Sequence, residues 1–180
     1  MEKFRSSVKN ELKLRFVDLL RQQTPNGFVE YLREEFLPPS LVIALARLTD
    51  DESSIYLDYV VKYQGKFSYL TDERAKEMLT QMRYAHPQIY KIMAPAIVDC
   101  AKRCQKLNDG GRKFYDFYIQ ESSDIDWESN KELKNFFQLV LSKWTQLDEA
   151  DRNSVSKYFP NIPKLLNDRR LYKWTGFIKE

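Results

Sequence analysis

Apolar positions recur every three or four residues along most of this chain, the period of one face of an α-helix. Phe4, Val8, Leu12, Phe16 and Leu19 open the pattern and predict a helix of about twenty residues, edged by Lys3, Arg5, Lys9, Lys13 and Arg15. The "TPNG" that follows breaks it. Phe28, Leu32 and Phe36 are spaced four apart and predict a short second helix, stopped at "LPPS". "SLVIALARL" is apolar nearly all round and reads as a buried helix.

Capping signals place the next boundaries. Thr49 and Glu52 have capping-box spacing, so a helix should begin near Asp50. "IYLDYVVKYQGKFSYL" is rich in β-branched and aromatic residues, and its "QG" could turn a small hairpin over residues 56–70. The helical neighbours favour a helix followed by a loop. Thr71, with Asp72 and Glu73 behind it, caps a helix that ends before Pro87. Ile89, Met93, Ile97, Ala101 and Cys104 continue the period, with Pro95 inside it as a kink or a helix break.

"NDGG", Asn108 to Gly111, reads as the clearest break in the chain, and "RKFYDFYIQ" after it as helix. Ser129 and Glu132 form a second capping box. It opens a helix carrying Leu133, Phe136, Phe137, Val140, Leu141 and Trp144 on one side. Another helix starts near Asp148 and stops at Pro160. "PNIP" reads as extended, and a last helix runs from about Pro163 to Trp174.

The fold class expected is therefore all-α, a compact irregular bundle of about seven to nine helices. One domain, 1–180, is expected, with Asn108–Gly111 as the place for any sub-division. There is no repeat of fixed period. With 43% hydrophobic and 14% aromatic residues, the chain has ample material for a core. Its 5 glycines and 7 prolines are too few for a many-stranded sandwich of tight turns.

The net charge of +3 implies no polyanionic partner by itself, but its distribution is uneven. Both ends of the chain are basic, and the connector "ESSDIDWES" is acidic. No apolar run is long enough to cross a membrane, and no signal segment opens the chain, so no membrane insertion and an intracellular location are expected. Two cysteines cannot build a disulfide scaffold.

Candidate chemistry is sparse. His86 stands alone before Pro87, where a surface or capping role explains it. Cys100 and Cys104 share one helix face and read as small core residues. One histidine and two cysteines at this spacing match no zinc framework. Asp124, Asp126 and Glu128 could serve carboxylate chemistry, yet they sit where helix caps are expected. No catalytic, metal or cofactor site emerges, and no cofactor is expected.

The basic and aromatic termini remain. Tyr172 and Trp174 interleave with Arg169, Arg170 and Lys173, and Lys9 and Lys13 line the first helix. Aromatics among cations suit a protein interface or single-stranded nucleic acid. The expectation is a non-enzymatic protein-interaction module, an adaptor or accessory subunit with a protein partner. The alternative is a nucleic-acid-binding accessory protein using those seven residues.

Overall fold

A computed structural model of the chain describes residues 32, 35–63, 73–123, 125–126 and 129–177. Among these residues there are nine helices and no strand. They are α1 (Pro39–Leu45), α2 (Asp50–Lys62), α3 (Glu73–Ala85), α4 (Pro87–Gln105) and α5 (Asp109–Ser123), then α6 (Asn130–Gln146), α7 (Glu149–Tyr158), α8 (Asn161–Leu166) and α9 (Arg169–Thr175). The all-α expectation is met. The N-terminal stripe with Lys9 and Lys13, and the Thr71 cap, lie outside the described residues. Leu32, Glu35 and Phe36 are helical, as the second stripe requires.

The chain divides into two compact units, Met1–Lys102 and Arg103–Glu180. In the first unit, α1 begins with a proline in its first turn, where a missing N–H costs nothing. Leu41, Ala44 and Leu45 are buried, but Ile43 is 63% exposed. The helix therefore has a solvent face, which its nearly uninterrupted apolar sequence conceals. The first capping box forms as read: Thr49 N–H donates to Glu52 Oε2 at 2.9 Å, and Glu52 N–H donates to Thr49 Oγ1 at 3.3 Å. Residues 56–62 continue as helix α2, which overturns the hairpin there. Three acidic residues in the first turn favour a helix start, and propensity for strand loses to them and to burial of Tyr56 and Leu57.

Helix α3 buries Ala75, Met78 and Met82. Helix α4 buries Ile89, Met93, Ile97 and Cys100. Pro95 lies within α4 and is exposed, so the helix continues through it. Proline there removes the donor that the Lys91 carbonyl would have within the helix.

In the second unit, "NDGG" is a helix start rather than a stop. Asn108 Oδ1 accepts from Gly111 N–H at 2.9 Å, capping α5, while Asn108 Nδ2 donates to Asp151 Oδ1 at 2.8 Å and Asn108 N–H to Ser154 Oγ at 3.0 Å. The first turn of α5 thus lies directly on α7. A Cβ at position 110 would run into the Asp151 carboxylate, and this close approach is why glycine stands in a helix there. Ser129 caps α6 by accepting from Glu132 N–H, but the Glu132 carboxylate reaches back to Asp126 N–H at 2.8 Å. All six residues predicted for the inner face of α6 are buried.

The C-terminal region differs from its expectation in two ways. "PNIP" is helical, because Pro160 adopts αR geometry and Asn161 opens α8 with its side chain buried. The last helix is two helices: Asp168 interrupts it and caps α9 by accepting from Arg170 N–H at 2.8 Å. Gly176 ends α9 at φ 73°, a conformation glycine adopts without strain.

Candidate functional site

The two units have interiors of different character. The second is rich in paired aromatic rings, stacked, tilted and edge-on. Tyr115 and Phe159 lie 4.2 Å apart between centroids, Phe114 and Trp144 5.3 Å, and Phe136 and Phe137 5.0 Å. Close backbone approaches accompany these rings, between α5 and both α6 and α7, α7 and α8, and α6 and α9. The polar edges of this core are tied to protein groups. Trp144 Nε1–H donates to Asn167 Oδ1, Arg103 to the Tyr158 carbonyl and Arg112 to the Cys104 carbonyl.

Among its described residues, the first unit buries three methionines beside aliphatic side chains and the rings of Phe36, Tyr56 and Tyr63. Met78, Met82, Met93, Ile89, Ile97 and Cys100 are all buried, with Leu41, Leu45 and Leu57. Methionine is the residue type most able to repack around a changing neighbour. Interiors between helices of this kind are a usual place for apolar ligands.

Polar groups in the first unit sharpen the picture. Tyr56 is fully buried, and burial, followed by the nearby Cys100, pushes its hydroxyl well above the ordinary tyrosine value. The Tyr63 hydroxyl and Ser40 Oγ are buried, yet neither has a hydrogen-bond partner. Tyr63 ends α2, with Lys62 Nζ 5.0 Å from its ring centroid. His86 sits between α3 and α4, edge-on to Tyr59 at 5.8 Å, and its carbonyl accepts from Tyr90 N–H.

The residues singled out in the tail all lie on α9. Arg169 and Lys173 are exposed. The Arg170 side chain is 60% exposed and clamps Asp168 at 2.6 Å. Tyr172 is half-buried, edge-on to Phe177, and burial raises its hydroxyl. Trp174 packs edge-on to Phe137 at 6.5 Å, with Lys134 Nζ 6.0 Å from its ring. Leu171 is fully buried and docks the helix, and Gln138 Nε2–H donates to the Thr175 carbonyl at 2.6 Å. Asp126 serves Glu132 in a helix-start arrangement. Among the described residues no group of histidine, cysteine and carboxylate side chains could hold a metal, and no helix is long and apolar enough to cross a membrane. Sequence reasoning missed Tyr63 and Ser40, because nothing local marks a hydroxyl that folding will bury without a partner.

The described residues thus form an all-helical chain whose first unit buries three methionines and two hydroxyls without hydrogen-bond partners. The chain belongs to the nematode fatty acid retinoid binding protein family (Gp-FAR-1), whose family model matches residues 32–176. No curated protein and no solved structure matches. The family is described by lipid binding, and this overturns the expected adaptor, its protein partner and the nucleic-acid alternative. The aromatic–cation pattern of the tail is met by packing of α9 on α6, with the cations left on its outer side.

Proposed function

We propose that this chain binds a fatty acid or a retinoid noncovalently, between the helices of its first unit, and performs no chemistry on it. The observation that carries the reading is the family match over residues 32–176, a span that includes every described helix. The methionine-rich interior of α3 and α4 supports the placement, because it can yield to an acyl chain without losing apolar contact.

The energetics are of the right size. Burying about fifteen methylenes is worth on the order of 12 kcal/mol. Lost freedom of the ligand and displaced side chains take back several kcal/mol. The remainder corresponds to micromolar affinity or somewhat better, about −8 kcal/mol.

Titration of the protein with a fluorescent fatty acid and with retinol tests the reading. Saturable, blue-shifted emission displaced by oleate is the expected result, with the ligand recovered chemically intact. Unsaturable emission, indifferent to oleate, would remove the basis for the assignment.

A further inference from the structure

Tyr63 is 9% exposed, and its hydroxyl oxygen is fully buried with no hydrogen-bond partner. This is costly, since a phenol normally retains a partner when it leaves water. The other buried tyrosines of the described residues, Tyr56, Tyr115 and Tyr118, have no such stranded oxygen. Buried hydroxyls are satisfied almost everywhere in folded proteins, so an exception calls for a physical account. In a ligand-binding interior, the ligand itself can supply the partner.

The surroundings of Tyr63 define which ligand atom fits. A phenol donates its proton readily to an anionic oxygen, and such charge-assisted bonds are stronger than neutral ones. Lys62 places an ammonium 5.0 Å from the centroid of the same ring. Tyr59, one turn earlier, feels that ammonium as a pull opposing the upward effect of burial on its own hydroxyl. The end of α2 therefore combines a buried donor with a nearby exposed cation. It suits a carboxylate better than an alcohol.

We propose that Tyr63 takes the head group of the bound lipid: its hydroxyl donates to the carboxylate of a fatty acid or retinoic acid, with Lys62 as the electrostatic support. This rests on the lipid-binding reading above and adds specificity to it: lipid acids are preferred over the corresponding alcohols. The apolar chain then extends toward the interior formed by residues such as Met78, Met82 and Met93.

Matched ligands test it. Oleate is compared with oleyl alcohol, and retinoic acid with retinol, on the wild-type chain, Tyr63→Phe and Lys62→Gln. The wild type should prefer each acid. Tyr63→Phe should weaken both acids by about tenfold or more, as loss of a hydrogen bond to a charged group requires, and leave both alcohols nearly unchanged. Lys62→Gln, an exposed change that does not threaten the fold, should weaken the acids by a smaller factor. Without ligand, Tyr63→Phe should melt several degrees higher, because it removes a buried donor that has no partner. Loss of acid and alcohol binding in equal measure, or a lower melting temperature for Tyr63→Phe without ligand, would overturn the proposal. Equal wild-type affinity for acid and alcohol would overturn it while leaving lipid binding intact. Failure of the wild type to bind any of the four would instead remove the lipid-binding reading itself.

Discussion

Tyr56 and Tyr118 are fully buried, and burial lifts both hydroxyls well above the ordinary value of 10.0, with Cys100 adding to the effect at Tyr56. Their contribution to stability is fully present below pH 10, where both folded and unfolded chains keep the protons. Above pH 10 the unfolded chain ionises these tyrosines and the folded chain does not. The unfolded state then binds fewer protons, and stability falls as pH rises, by up to about 1.4 kcal/mol per pH unit for each group. Melting temperature should thus fall steeply above pH 10, and phenolate absorbance from these residues should appear only with unfolding. Phenolate absorbance from all tyrosines in a still-folded chain at that pH would contradict their burial. Residues of this kind were partly legible in the sequence: Tyr118 shares a helical face with Phe114, and periodicity finds it. Tyr63 was not legible. Its burial depends on neighbours that the local pattern does not specify, and the same β-rich stretch that hides it suggested a hairpin.

Three helix boundaries made by a side chain were legible, while those made by Asn108 and Asp168 were not. Thr49, Ser129 and Asp148 all cap the helices their spacing predicts. Ser129→Ala should cost about 1 kcal/mol, the usual loss for a cap of this type, measured as a lower denaturant midpoint at unchanged slope. Where tertiary contact makes the boundary, sequence reading failed. The glycines of "NDGG" look like a stop, yet they exist to let α5 approach Asp151 on α7. Gly110→Ala should therefore destabilise the chain, although alanine is the better helix former, because the Asp151 carboxylate must swing away from Asn108 Nδ2 to admit the Cβ. A stabilised Gly110→Ala chain would mean that α5 and α7 are not held this closely. The prolines of "PNIP" misled in the same manner. Proline is compatible with a first helical turn, and burial of Asn161, Ile162, Leu165 and Leu166 decides in favour of helix.

At the scale of the whole chain, the fold class was legible, because helical period is written in most segments, whereas the function was not. An interior that accepts a lipid uses the same leucines, isoleucines and methionines as one that only packs against itself. Exposed cations and aromatics at the tail drew attention instead, though α9 uses Leu171 and Trp174 to dock on its own unit. Among the described residues the interiors differ in what fills them, with paired rings in residues 103–180 and methionines beside aliphatic side chains in the earlier unit. That difference predicts where a ligand acts. At a hundredfold excess of ligand over its dissociation constant, binding adds about 2.7 kcal/mol, a rise of roughly 5–10 °C in melting temperature for a chain of this size. Amide hydrogen exchange should locate the effect. On the proposed placement, oleate should slow exchange most in α2, α3 and α4, which carry Met78, Met82, Met93 and the neighbouring Tyr63, and least in α6 and α7. Protection gained chiefly in α6 and α7 would move the binding site to the second unit, and would remove Met78, Met82 and Met93 from the ligand's path.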